Sequence, residues 1–147
     1  MGKRYWISRE NFTPTGGTDV LTIVSPSTGR VSLLDITARG AGTTSAQQGL
    51  QIARSTGGSS TSTFITPAKA DYSGQSTAGF LVNSTMLTQP TLNSGWLTVG
   101  FNALGGSFTK AFPSGMFEAM NRENISIFAT TNPTWQAMSL SVLVEDK

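Results

Sequence analysis

Eight carboxylates and ten Lys or Arg side chains make up the charged inventory of this 147-residue chain, which contains neither histidine nor cysteine. Two carboxylates can hydrolyse a glycoside without histidine, one as acid and the other as base or nucleophile. Glu10, Asp19 and Asp35 lie in or beside apolar runs, and Asp35 interrupts Leu33-Leu34-Asp35-Ile36. The plainer role for Asp35 is a solvated carboxylate or a partner for Arg39 or Arg54. Lack of cysteine removes thiol nucleophiles, disulfide frames, iron–sulfur clusters and cysteine zinc sites. Lack of histidine removes the Ser-His-Asp triad and the usual ligand set for zinc, copper and non-haem iron. No Asp-x-Asp-x-Asp-Gly calcium loop is present, nor a Gly-x-x-x-x-Gly-Lys-Ser/Thr or Gly-x-Gly-x-x-Gly phosphate loop. The residues therefore predict no catalytic site, no cofactor and no metal.

Binding chemistry is the remaining option. Trp96, Trp135 and Tyr72 are candidate sugar contacts, because flat aromatic faces stack on sugars or bases. The competing role is filling a core or an interface, where aromatics bury the most surface per residue. Trp135 follows Asn132-Pro133-Thr134 in a turn, which predicts exposure. Alternation along the first strand places Tyr5, Ile7 and Arg9 on one face and Trp6 with Phe12 on the other. Lys3-Arg4 is the only tight basic pair in a chain of net charge +2. One pair falls far short of the basic stripe that binds a phosphate backbone, so no nucleic-acid partner is expected.

The elements that must position these residues are strands. Apolar residues recur with period two in Leu97-Val99-Phe101-Ala103 and in Met138-Leu140-Val142-Val144. Val20–Val24 and Val31–Ala38 are apolar on both faces, which suits strands buried in a core on one side and against a partner on the other. Gly, Pro and Asn turns separate such runs, as in Pro14-Thr15-Gly16-Gly17 and Pro26-Ser27-Thr28-Gly29. The pattern predicts ten strands near 5–12, 18–25, 30–39, 49–55, 62–66, 78–85, 95–104, 107–112, 124–131 and 137–146. Only Gly115–Arg122 hints at a helical turn, from the spacing of Met116, Phe117, Ala119 and Met120.

Residues 67–77 form the longest connection and are expected to be a functional or partner-contacting loop. The expectation is a single all-β domain over residues 1–147, an antiparallel β-sandwich or barrel. No run approaches the roughly 18–20 apolar residues of a membrane span, and Met1–Ile7 lacks the apolar core of a signal peptide, so cytoplasmic synthesis without a membrane partner is expected.

The order of these segments resembles a family of small jelly-roll proteins from tailed-phage virions, which includes the capsid cement (decoration) proteins. The resemblance is carried by a Trp-containing first strand, Tyr5-Trp6-Ile7-Ser8, and by the apolar pair Val20–Val24 and Val31–Ala38. A Leu-Gln-Ile-Ala-Arg strand follows at Leu50–Arg54, then Thr-Pro-Ala-Lys-Ala-Asp at Thr66–Asp71. Phe112-Pro113 supplies an aromatic-Pro turn, and a final strand with an acidic end spans Ser139–Asp146. Gly115–Arg122 departs from the family pattern in being rich in Met and Phe.

The resemblance implies a jelly roll and a non-enzymatic role on the outer surface of the virion. There the protein would bind the major capsid protein and stabilise the shell, as a homotrimer at local three-fold positions. Lys3, Arg4 and Trp6 are the candidate capsid contacts. The reading from another class is a carbohydrate-binding module of a fibre or receptor-binding protein, or another head or neck component, using Tyr72, Trp96 or Trp135.

Overall fold

The structure, a computed structural model, describes residues 2–60, 64–70, 78–131 and 134–147. The strands are, in chain order, β1 (Lys3–Phe12), β2 (Asp19–Val24), β3 (Arg30–Gly40), β4 (Gln47–Thr56), β5 (Ser59–Ser60), β6 (Ala68–Lys69) and β7 (Leu81–Asn83). They continue as β8 (Met86–Thr88), β9 (Thr91–Asn102), β10 (Ser107–Ala111), β11 (Glu118–Met120), β12 (Asn124–Ala129) and β13 (Met138–Asp146).

Two antiparallel sheets pack face to face. The first runs β10-β3-β13-β1-β6, with β11 also on β3, and the second runs β7-β2-β12-β4-β9. Among the eight longer strands the chain alternates between sheets, except that β4 and β9 are neighbours in the second. That winding, four strands per sheet plus short additions, is a jelly roll. Inward positions fill the core: Tyr5, Ile7, Leu33, Ile36, Leu140 and Val142 from one sheet meet Leu21, Ile23, Ile52, Ile125, Ile127 and Val99 from the other. Alternation in β13 from Met138 to Val144, buried at Met138, Leu140, Val142 and Val144, reflects its place between β3 and β1.

Three local expectations change. Gly115–Arg122 is not helical. It ends in β11, where Ala119 pairs with Val31 and is buried. The turn beyond has Asn121 and Arg122 at φ 54° and 66°, a conformation no helix continues through. The single strand expected at 78–85 shortens to β7, Leu81–Asn83, and β8 lies beyond it, paired with β5 in a separate two-stranded sheet. Finally, the β1–β13 register shifts between Arg9 and Phe12, with Asn11 at φ 48°. This bulge brings Phe12 to the side of Arg9, whose guanidinium lies 3.9 Å from the Phe12 ring centroid. Simple alternation had separated the two. Of the stretch 62–66, Phe64 makes one bridge to Asn83, and residues 61–63 lie outside the described residues.

Candidate functional site

The two sheets present different outer faces. On the first sheet, cross-strand register aligns Trp6, Leu143, Asp35 and Ala111 in one row, and Ser8, Ser141, Thr37 and Thr109 in the next. Ser8 and Ser141 hydroxyls are 3.3 Å apart, as are those of Thr37 and Thr109. A shallow depression of about 210 Å³ lies among Ser8, Glu10, Thr37, Arg39, Ser139 and Ser141. Trp6 stands at the apolar end of this face with 41% of its surface exposed.

The basic pair does not form one patch. Arg4 shares a face with Trp6, and its Nε lies 3.7 Å from Glu145 Oε2. Lys3, one residue earlier, pairs with Asp146 and points to the opposite side of the strand. Structure therefore brings Arg4 and Trp6 together and separates Lys3 from them. Asp35 sits partly buried in the Trp6 row, and desolvation raises its pKa.

An ion cluster bounds this face. Glu118 Oε1 accepts from Lys147 Nζ at 2.6 Å and from Ser32 Oγ at 2.8 Å, and Arg30 Nη1 is 3.7 Å from Oε2. Glu145 joins through Ser114 Oγ at 3.1 Å and Lys147 Nζ at 3.9 Å. The hydrogen bond from Lys147, then that from Ser32, holds the Glu118 pKa below its ordinary 4.5. A depressed pKa contributes stability that is present above about 4.5 and lost as pH falls through the folded value. Glu118→Gln is therefore expected to destabilise the protein at neutral pH and to flatten the acid limb of its pH–stability curve. An acid limb unchanged in urea titrations would count against this.

On the second sheet the outer side is closed by the chain itself around Thr22, Ser55 and Ser126, while Thr98 and Gly100 of β9 stay exposed. Asn124 Nδ2 donates to Gly57 O at 3.1 Å, and Asp19 N donates to Gln89 Oε1 at 2.8 Å. Arg9 Nη1 donates to Val20 O at 2.6 Å and to Ser84 O at 2.8 Å, joining the two sheets to the segment after β7. Thr22, Ser55 and Ser126 are fully buried there. Asp19 Oδ2 accepts from Thr22 Oγ1 at 2.7 Å and from Ser126 Oγ at 2.6 Å, and Ser126 and Ser55 hydroxyls are 2.6 Å apart. Asp19 Oδ1 has no partner, and desolvation pushes the Asp19 pKa up to about 6 against those two hydrogen bonds. Asp19 and Arg9 line a cleft of about 160 Å³ with Thr15, Thr18, Ser84 and Gln89. Thus β2, read as needing a partner for its second face, already buries it within the monomer.

The aromatic candidates are committed elsewhere. Trp135 is 8% exposed, not turn-exposed, because its ring packs near Phe101 and its indole N–H donates to Thr130 O at 2.9 Å. Trp96 is half-buried at a bulge in β9, stacked 5.0 Å from Phe117 at 15°, with the Arg54 guanidinium 5.6 Å from its ring. Tyr72 lies outside the described residues.

The three acids of the hydrolase reading do not meet: Glu10 and Asp35 belong to one sheet and Asp19 to the outer side of the other. Among the described residues, no three acids form a group able to hold a metal ion. The buried Asp19 network escaped sequence reasoning; its signal was a carboxylate and a hydroxyl, Asp19 and Thr22, inside an apolar run. Comparison with protein-family models, curated proteins and solved structures finds no match to the chain.

Proposed function

We propose that this chain is a non-enzymatic virion structural protein, a capsid decoration protein that binds the outer face of a major capsid shell and stabilises it. The observation that supports this most directly is the asymmetry between the outer faces. One sheet is covered over β2 and β12 by the chain's own segments, while the other carries an exposed Trp6 beside Arg4. A large exposed aromatic next to an arginine is the residue pairing that dominates interface energetics. Binding the assembled shell in preference to free coat subunits stabilises it by mass action, with no catalytic group required. Self-association multiplies these contacts through effective concentration.

The test is co-sedimentation with phage heads stripped of this protein. Saturable binding that protects the heads from heat is expected, with affinity reduced at least tenfold in the Arg4→Ala/Trp6→Ala double variant. Lack of binding by the parent chain would overturn the reading. A saccharide-binding role would rest on Trp6 and the depression around Glu10 and Arg39, and a glycan array with the same double variant distinguishes it.

A further inference from the structure

We propose that β9 is a self-pairing edge, at which a second copy of this chain adds its own β9 antiparallel about a two-fold axis. β9 ends its sheet: β4 pairs along one side, and among the described residues no strand pairs along the other. It is 12 residues long, whereas the other edge strands β7, β10 and β6 have 3, 5 and 2 residues. Exposed edges are ordinarily protected by charge, proline, bulges or shortness. Thr91–Asn102 contains no charged residue and no proline.

Two register shifts, at Ile52/Ala53 and Arg54/Ser55 of β4, distort the first half of β9. The second half, Leu97–Asn102, pairs regularly with Gln47–Ile52. Asn102 O already accepts from Gly106 N at 3.0 Å, so the unprotected length is five residues, Leu-Thr-Val-Gly-Phe, in which Thr, Val and Phe favour strands.

The strand's own chemistry selects a second copy as the occupant. With the two-fold axis at Val99, Leu97 faces Phe101 of the other copy and Val99 faces itself, so the buried rows of Val99 and Phe101 run on across the junction. Leu97, only partly buried in one chain, gains cover. Thr98 and Gly100, both exposed, meet on the outer side, where the Gln47 side chain lies over Gly100. An uncharged strand meets no like charge in its copy, and an isologous contact uses up the edge, so assembly stops at two. The resemblance implies a trimer; this geometry gives a dimer, whether or not the protein decorates capsids.

Native mass at micromolar concentration tests it. The parent chain is expected at twice the 15.5 kDa monomer mass. T98K and T98E, each placing a charge close to its own copy across the two-fold axis, are expected to raise the dimer Kd at least tenfold and run as folded monomers by circular dichroism. A 1:1 mixture of T98K and T98E is expected to return to the dimer mass. A monomeric or trimeric parent, a T98K variant that keeps the dimer mass, or a mixture that stays monomeric would each overturn the proposal.

Discussion

Asp19→Asn gains about 3 kcal/mol in stability over the parent chain as pH is raised from about 3 to about 8. The Asp19 carboxyl is buried, and its pKa stands at about 6 in the fold against an ordinary 3.8. Folding therefore favours the protonated form. The stabilisation is complete below about 3.8 and is lost as pH rises through about 6. The gap between the two values corresponds to about 3 kcal/mol. Asparagine stays neutral, and its side-chain oxygen can still accept from Thr22 and Ser126, as Oδ2 does now. Urea unfolding of both proteins across that pH range is the measurement. A difference independent of pH would show that Asp19 is already solvated or paired. The Glu118 effect has the opposite sign and a lower pH window, so the two variants separate cleanly.

Arg9→Met is expected to cost about 3 kcal/mol, because two backbone carbonyls each lose a charge-assisted hydrogen bond. Val20 O and Ser84 O are 2.6 and 2.8 Å from Arg9 Nη1, and the same guanidinium packs on the Phe12 ring. Methionine keeps most of the apolar stem and none of the donors. Arg9→Lys keeps the charge but loses the planar stack, and recovers less than half of the loss. Hydrogen exchange is expected to speed up in Met86–Thr88, since Arg9 fixes the residues just before it. A loss below about 0.5 kcal/mol in both variants would mean that water replaces the guanidinium without cost.

The eight longer strands were legible because a two-sheet sandwich buries alternate residues, and that period survives in the sequence of β13 and in the regular half of β9. The periodicity gave a sandwich or barrel; the jelly roll was implied only by the resemblance, and the observed strand order has that topology. Apart from β7, which lies within the strand expected at 78–85, the two- and three-residue strands were not legible. β6 holds two residues, Ala68 and Lys69, and its pairing with β1 depends on tertiary placement, not on any local period. The site was less legible than the fold. Lys3 and Arg4 are adjacent in sequence and opposed in space, because neighbouring strand residues point to opposite faces. Phe12 changed sides through one bulge at Asn11, and the turn preference of Asn132-Pro133 said nothing about the cavity that takes Trp135. Asp19 and Thr22 inside an apolar run hinted at a buried polar pair, but the later segment that covers them, with Gln89 on the Asp19 backbone, leaves no mark near residue 19.

The placement of β13 between β1 and β3 sets the order in which the protein can mature. Until Met138–Asp146 has been synthesised, the first sheet exists only as separate fragments, one around β3 and one around β1. At about 5–20 residues per second, β1 emerges from the ribosome on the order of ten seconds before its main neighbour. Through that interval Tyr5 and Ile7, among the most deeply buried side chains of the finished protein, have no sheet to enter. The nascent chain is then a natural client for holdase chaperones, and a ribosome stalled shortly before residue 138 would release an aggregation-prone product.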